Sequence, residues 1–378
     1  MRFTLSPDHR DFATSLTALL NTLDCDAATR AWATGNPGPG LKIWRRLADQ
    51  GLQALTVPTH HGGLSADAAP PIDRASAGSA PWPGGRASSI DARPADHVAP
   101  AAQGGSADHV VSRAACSAAT ETGSADTGDS GANIVDAVVA FEVLGRFCPP
   151  GPWTDAAVLP LLLDHEVLTS VAIGETLVSL SFPPYVPYAL DADIADARYL
   201  VDGARLRAFT PGAALSSLDS ARRLFEPLPG ADVGPALAPT RAFDLGALLT
   251  AAQLLGSGRW LLETSVAHAL TRRQFGREIG RYQAVQHLLA DVATALELAT
   301  PLLYGAAVTA EPADVSAAKT ACGDAAHLAA RTALQVHGAV GYTAEHPLGL
   351  RLTRVRALIG TWGTPAEHRR RVLAAIAP

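Results

Sequence analysis

The spacing of apolar residues divides the chain into helical stretches at both ends and short strands between them. At the start, one apolar face repeats with helical period after Ser6 and Pro7. Ser is a favoured N-cap residue and Pro suits the first helical position, so a helix is predicted to begin there. A second helix is predicted over residues 41–50, because Gly51 is a natural helix stop.

The middle of the chain changes from helical to strand-like periodicity. Helical spacing resumes at Ile134 and breaks at the run PPGPW. We therefore predict an N-terminal helical domain made of residues 1–65 and 134–166. Residues 167–240 carry the short segments VSLSF, ARYLVDG and ARLRAF, with alternating or β-branched apolar positions between Gly and Pro. This pattern predicts a small middle β domain.

The last part, residues 241–378, has three long apolar stripes of helical period. They lie at residues 244–266, 283–304 and 313–340, and two shorter helices are predicted near 348–358 and 365–375. Long helices with short joints indicate a four-helix bundle. The predicted fold class is mainly α with a small β domain.

Residues 66–133 have a different composition from the rest. They are rich in Ala, Gly, Ser, Pro, Asp and Thr, and contain no Leu, Phe, Tyr or Lys. Such a segment cannot bury enough apolar surface to offset the entropy of ordering it. We predict a disordered low-complexity insertion, whose histidines are solvated rather than metal-bound.

Composition limits the classes of function. The 378 residues are 48 % hydrophobic and 17 % charged, which is typical of a globular chain. A net charge of -6 argues against a nucleic-acid partner. No apolar run approaches the roughly 20 residues of a membrane span, and no signal peptide is evident. The four cysteines form no CxxC pair, so no metal site is predicted. We expect a soluble cytoplasmic protein.

The first candidate site lies in residues 269–291. A helix is predicted to end at Arg272-Arg273-Gln274-Phe275, where Gly276 permits a turn. An arginine at such a place can hold a phosphate by bidentate contact, or can cap helix carbonyls instead. Arg273 is expected to project about 100° around the helix from Arg272 and to matter less for binding.

The second candidate site lies in residues 333–364. Gln335, His337, Gly338 and Gly341 are predicted at the end of a long helix. The two glycines permit close approach of the backbone to a ligand, or only stop the helix. Gln335 is a candidate hydrogen-bond partner for a nucleotide.

Together, the two segments resemble the signatures of the acyl-CoA dehydrogenase family. The first signature is matched by Arg272, Gln274, Phe275, Gly276, Gln283, Gln286, His287 and Asp291. The second is matched by the run Gln-x-x-Gly-x-x-Gly-Tyr-Thr at residues 335–343, where Ala339 replaces a family glycine. The segments PTHHGGLS and FEVLGRFCPPGP also resemble the family's N-terminal domain.

The resemblance implies FAD as cofactor, an acyl-CoA thioester as substrate and an electron-transfer flavoprotein as electron acceptor. It implies an N-terminal helical domain, a middle β domain and a C-terminal bundle that reaches a neighbouring subunit's flavin. By the same resemblance, Arg272 would bind the FAD pyrophosphate, and Gln274 and Phe275 would line that site. Gln283, Gln335 and Gly338 would hold the adenosine end.

The sequence departs from the family at the catalytic base. The two positions that carry the family's glutamate are Trp362 and Gly246 here, so the base is unassigned. Asp244 and Glu345 are nearby carboxylates, for which surface or capping roles are favoured. The flavin loop of the middle domain is also missing; the sequence there is SLSFPPYVPYALD.

These departures resemble the base-lacking subunit of actinobacterial heteromeric acyl-CoA dehydrogenases, which act on CoA esters of steroid side chains or other bulky acids. A paralogous subunit would supply the base. Two alternatives stay open: a homomeric acyl-CoA dehydrogenase with an unusual base, and a non-catalytic relic that binds a partner without flavin.

Overall fold

A computed structural model of the chain describes residues 5–65, 133–343 and 346–377. The predicted insertion therefore lies outside the described residues except at Asn133. That residue belongs to the following helix, because its side chain accepts hydrogen bonds from the first turn in a capping box with Asp136.

The N-terminal part is helical, as predicted. Ser6 caps the first helix by accepting a hydrogen bond from the His9 amide at 3.1 Å, and Pro7 occupies its first position. The third helix is followed by Gly51 at a φ of 78°, which confirms the predicted stop. The helix over Cys25–Ala33, which lies between the two predicted ones, was not predicted from the sequence. The helices are α1 (Pro7–Asn21), α2 (Cys25–Ala33), α3 (Gly38–Ala48), α4 (Ile134–Phe147), α5 (Trp153–Val158) and α6 (Val167–Ala172).

The middle part contains a five-stranded sheet in the order β1-β3-β4-β5-β2. β1 runs parallel to β3, and the other neighbours are antiparallel. The three segments predicted as strands form β1, β3 and the start of β4. The strands are β1 (Val178–Ser181), β2 (Ala189–Leu190), β3 (Ala197–Asp202), β4 (Arg205–Leu215) and β5 (Leu224–Pro235).

The C-terminal part is a helical bundle built on three long helices. α8 and α9 pack on α7, while α10 and α11 pack on α9. By length and composition α8 would suffice to cross a membrane. Its Leu296 and Leu303 are fully buried, however, so it serves as a core helix of the bundle. The helices are α7 (Pro239–Thr271), α8 (Gln283–Thr309), α9 (Pro312–His337), α10 (Leu348–Gly360) and α11 (Pro365–Ile376).

The N-terminal helices join the bundle where α4 crosses α7 at backbone contact distance. A Cβ atom on Gly256 would lie 1.9 Å from the Glu142 carbonyl oxygen, and one on Gly145 would lie 2.2 Å from the Gln253 carbonyl oxygen. Only glycine fits at either place. Beside the crossing, the Glu142 carboxylate pairs with Arg259 and accepts a 2.5 Å hydrogen bond from the Tyr304 hydroxyl.

A buried lysine fixes the end of α10. The ammonium group of Lys319, on α9, donates to the carbonyl oxygens of Leu358 and Ile359, both at 3.0 Å. These carbonyls belong to the last turn of α10, where that of Leu358 also accepts a 3.2 Å hydrogen bond from the Thr361 amide. Burial lowers the pKa of Lys319 to about 7, because an ammonium group loses its hydration there.

This lysine should make stability depend on pH. In the unfolded chain its pKa is 10.5, so between pH 7 and 10.5 the unfolded state binds more protons than the folded state. The free energy of unfolding should therefore rise with pH in this window, by up to about 1.4 kcal/mol per pH unit relative to Lys319→Met. Urea unfolding of both chains at pH 7, 8 and 9 measures the difference. Equal slopes for the two chains would contradict the assignment.

Candidate functional site

The first candidate segment folds as a hairpin between α7 and α8. Two short strands, β6 (Arg273–Gln274) and β7 (Arg277–Glu278), pair around a turn at Phe275 and Gly276, with φ values of 51° and 82°. The predicted turn at Gly276 is confirmed. The turn holds Phe275 at the tip with 94 % of its side chain exposed. The ring is therefore available for contact with a ligand or a partner chain.

The charged side chains of the hairpin contact an opposite charge or an aromatic ring, with one exception. Arg273 pairs with Glu278 and donates to the Gly276 carbonyl oxygen at 3.1 Å, and the Arg277 guanidinium lies over the Tyr282 ring at 4.0 Å. Within the described part of the chain, the Arg272 guanidinium has no hydrogen-bond or ion-pair partner. It is also exposed.

The expected orientation of Arg273 is wrong. Arg272 ends α7 with an extended backbone, φ -70° and ψ 121°, so Arg273 lies on a strand and not on the helix. Its guanidinium serves the hairpin itself. Arg272 and Arg273 therefore differ because the helix ends between them, and not because of their positions around a helix.

The second candidate segment ends α9, as predicted. Gly338 follows the helix at a φ of 58°, and a Cβ atom there would meet no atom within 4 Å. Its backbone is therefore open to a ligand. Gly341 is not, because a Cβ atom there would lie 2.9 Å from the Leu348 side chain. Gly341 provides room for the chain's own packing.

An open groove runs beside Gln335 and Gly338. It has a volume of about 530 Å³, and the Gln335 side chain is exposed along it. Gln283, the first residue of α8, is also exposed. Neither glutamine side chain makes a hydrogen bond to any described residue. The groove is lined by Leu288, Leu328, Arg331, Thr332, Leu334, Gln335, Gly338 and Tyr342.

Stacked histidines bring the two candidate segments together. His268, one turn before Arg272, stacks on His337 with ring centroids 4.4 Å apart, and His346 packs on His337 edge-on at 5.1 Å. Burial lowers the pKa of His268, and the nearby His337 and Arg272 lower it further. Nδ1 of His337 bonds to the Ala333 carbonyl oxygen at 2.8 Å, which supports the structural role favoured for this histidine.

The two positions of the family's base contact each other. Trp362 is 1 % exposed, and a Cβ atom on Gly246 would lie 2.4 Å from its indole ring. The indole fills the space that a side chain at residue 246 would need. The φ of Trp362 is 57°, a sharp turn after α10 that aims the ring back at α7. The Trp362 carbonyl oxygen lies 2.8 Å from Nε2 of His368.

The space around Trp362 is nearly closed. The adjoining cavity measures about 20 Å³, which is room for about one water molecule. Asp155, which is buried, and Arg222, which is partly exposed, line it. Burial raises the pKa of Asp155 to about 7, although its carboxylate accepts a 2.9 Å hydrogen bond from the Leu180 amide. Sequence reasoning missed this buried carboxylate, because a single Asp before an apolar run has no distinguishing pattern.

Of the two carboxylates considered as bases, the structure describes Asp244, and its carboxylate is paired. Asp244 bonds to Nη2 of Arg371 at 2.6 Å and is 7 % exposed. Burial raises its pKa, and the arginine opposes this. Glu345 lies outside the described residues.

The serine hydroxyl groups of the segment in place of the family's flavin loop bond within the protein. Ser179 donates to the Leu190 carbonyl oxygen at 2.7 Å, and Ser181 donates to that of Val186 at 3.2 Å. Both serines are fully buried. Neither hydroxyl is available to a ligand on the surface of the middle domain.

Comparison with known proteins identifies the family. The profile described as acyl-CoA dehydrogenase, C-terminal domain, matches residues 234–377. Acyl-CoA dehydrogenase IpdE2 of Mycobacterium tuberculosis is 30 % identical over 255 residues, which cover 65 % of this chain and 79 % of the relative. Among solved structures, the ChsE4–ChsE5 complex from Mycobacterium tuberculosis matches with a TM-score of 0.70 at 18 % identity, over 100 % of both chains.

A second solved structure, the Tcur3481–Tcur3483 steroid acyl-CoA dehydrogenase, matches with a TM-score of 0.70 at 17 % identity, over 99 % of both chains. At these identities the two structures support the fold, and the IpdE2 relative supports the family. The predicted fold class, with helical ends, a small middle sheet and a C-terminal helical domain, is confirmed. The chain belongs to the acyl-CoA dehydrogenase family.

Proposed function

We propose that this chain is the base-lacking subunit of a heteromeric acyl-CoA dehydrogenase and completes the flavin site of a paralogous catalytic subunit. The observation that carries the proposal is the contact of Trp362 with Gly246. It removes a carboxylate from both family positions and fills the space between them with an indole ring. Abstraction of an α proton needs a base within hydrogen-bond reach of the substrate.

The end of the bundle suits one part of a flavin dinucleotide. The unpaired Arg272 would hold the pyrophosphate, since a guanidinium matches phosphate oxygens in charge and geometry. Gln335, Gln283 and the open backbone at Gly338 would hold the adenosine end. The exposed Gln274 and Phe275 would cover the dinucleotide between them. When bound, FAD supplies the acceptor for the hydride that leaves the β carbon of the acyl group.

The partner subunit would supply the catalytic base and the greater part of the acyl-CoA site. The names of the similar solved structures, ChsE4–ChsE5 and Tcur3481–Tcur3483, each pair two different chains, which supports a two-chain assembly here. The second name includes a steroid acyl-CoA dehydrogenase, which supports a bulky acyl-CoA as substrate. An electron-transfer flavoprotein would take the electrons, as the family resemblance implies, and the site of action would be the cytoplasm.

One observation favours the homomeric alternative. An open cavity of about 570 Å³ lies beyond Thr361 and is lined by Tyr188, Ser217, Arg222 and Arg356, among others. It is large enough to admit a planar ring system. A flavin bound there would belong to this chain alone.

Co-expression separates the two assemblies. We expect the chain purified alone to be colourless, and the chain co-expressed with a neighbouring paralogous subunit to yield a yellow complex with acyl-CoA dehydrogenase activity. The visible absorption spectrum and activity of both preparations measure this. Stoichiometric FAD and activity in the chain alone would instead establish the homomeric assembly. A complex that forms without flavin would support the relic.

Arg272→Ala should weaken flavin binding in the complex. The loss of a charge-assisted hydrogen bond costs about 1.5–3 kcal/mol, or roughly a ten- to 150-fold rise in the dissociation constant of FAD. The matched control is Arg45→Ala, an exposed arginine on α3. Flavin fluorescence during dilution measures both dissociation constants. Equal affinity in Arg272→Ala and wild type would remove Arg272 from the site. Arg273→Ala is unsuitable as a control because Arg273 stabilises the hairpin.

Gly246→Ala tests whether the base positions are closed. The added methyl group would overlap the Trp362 indole, so we expect a destabilisation of about 1–3 kcal/mol. In a Trp362→Ala background the same change should cost nothing, because alanine favours a helix over glycine by up to about 1 kcal/mol. Chemical unfolding of the four chains gives the coupling energy. The same penalty in both backgrounds would show that the indole does not fill this space.

A further inference from the structure

Two neighbouring histidines and an aspartate meet on the surface of the N-terminal part. His60 and His61 lie in a turn after α3, and Asp164 lies in the loop before α6. Nε2 of His60 and Nε2 of His61 lie 3.2 Å and 2.6 Å from the same carboxylate oxygen, Oδ1 of Asp164. The proposed flavin function uses none of the three.

The separations are close to those of a metal coordination shell. One ligand atom from each residue lies within 4.8 Å of the others. Tetrahedral zinc has ligand bonds of about 2.0–2.1 Å, which place its ligand atoms roughly 3.3 Å apart. The 3.2 Å distance already matches, and the 2.6 Å distance needs an outward shift of less than 1 Å. Two imidazoles and one carboxylate are also a donor set that zinc accepts.

Backbone hydrogen bonds hold the histidine turn in place. The His61 and Gly63 amides both donate to the Pro58 carbonyl oxygen, at 3.0 and 3.1 Å, and the Ser65 amide donates to that of Val57 at 3.0 Å. A Cβ atom on Gly63 would lie 1.9 Å from the Val57 carbonyl oxygen, so the turn closes tightly on itself. The donors on this side are therefore preorganised, which favours binding.

The aspartate loop is anchored in the same way. Just before Asp164, the carbonyl oxygens of Leu161 and Leu162 accept hydrogen bonds from the Ala238 and Leu237 amides, at 2.8 and 3.1 Å. The segment that enters α7 thus fixes the loop. The Asp164 side chain is 63 % exposed and that of His61 is 13 % exposed, so one side of the cluster is open to an entering ion.

We propose that His60, His61 and Asp164 bind a divalent transition-metal ion of the zinc class, with water in the remaining coordination position. The metal replaces the two hydrogen bonds with bonds to Nε2 of each histidine and to the carboxylate. Each histidine coordinates through one imidazole nitrogen, as is common for zinc ligands. The ion joins the residues before the segment 66–132 to those after it, and so stabilises the N-terminal part.

The competing explanation is a pair of exposed histidine–aspartate hydrogen bonds. Those bonds hold the pKa of Asp164 below its ordinary value without any ion. They are worth little at an exposed site. The two explanations differ in stoichiometric metal binding, which ordinary hydrogen bonds do not confer.

Zinc titration of the full-length chain, stripped with a chelator, tests the proposal. We expect one Zn²⁺ per wild-type chain in competition with a chromophoric chelator, and a tetrahedral absorption spectrum with Co²⁺. His61→Ala and Asp164→Ala should each weaken zinc affinity at least tenfold. Mutation of residues that only support metal ligands already lowers metal affinity by roughly ten- to 100-fold. The matched control is His165→Ala, an exposed histidine next to Asp164 but outside the cluster. Its Nδ1 accepts a 3.1 Å hydrogen bond from the Val167 amide, so this variant measures what disturbing the loop does without removing a proposed ligand.

Thermal unfolding with and without zinc gives an independent measure. Saturating zinc should raise the melting temperature of the wild type and of His165→Ala by a few degrees, since an ion that binds only the folded state stabilises it. At the same zinc concentration the rise in melting temperature should be smaller in His61→Ala and Asp164→Ala, because their zinc affinity is lower. No stoichiometric zinc binding by the wild type, or equal losses in His165→Ala and His61→Ala, would overturn the proposal.

Discussion

The structure depends on how closely other elements approach α7. Three glycines on this helix each face a group that leaves no room for a side chain: Gly246 faces the Trp362 indole, Gly256 faces the backbone of α4, and Gly258 faces Leu296 of α8. The close contacts bury most of α7 and join the N-terminal helices to the bundle. Dense packing of this kind gives an interior that tolerates few changes of volume.

Charged groups divide into two sets with different roles. In the first set a buried charge is paired with a residue of another element, as with Glu142 and the partly buried Arg259, or Arg354 and Asp219. A buried charge without a partner is costly, so these residues serve the fold. At the far end of α7 the opposite holds: Arg272 is exposed and unpaired among the described residues, beside an exposed Phe275. An unpaired guanidinium beside an exposed aromatic ring is suited to contacts with another molecule.

Much of the fold follows from local sequence. Ser6 with Pro7 predicts the start of α1, Gly276 predicts the hairpin turn, and long apolar stripes predict the bundle helices, because these signals act within a few residues. The meeting of the two candidate segments was reached through family resemblance. The physical basis of that meeting is the stacking of His268 on His337, which could not be predicted. The contact of Trp362 with Gly246 could not be predicted either. Both contacts join residues far apart in sequence, and periodicity carries no information about such pairs.

The fit of Trp362 against Gly246 also constrains how this chain can change over generations. A glutamate introduced at position 246 would collide with the indole, so that substitution is blocked while the tryptophan remains. A substitution at position 362 empties a fully buried site, at a cost of several kcal/mol for losing a large aromatic side chain. A change at either position is therefore penalised by packing, whichever comes first. The packing acts as an evolutionary ratchet that keeps Gly246 and Trp362 together.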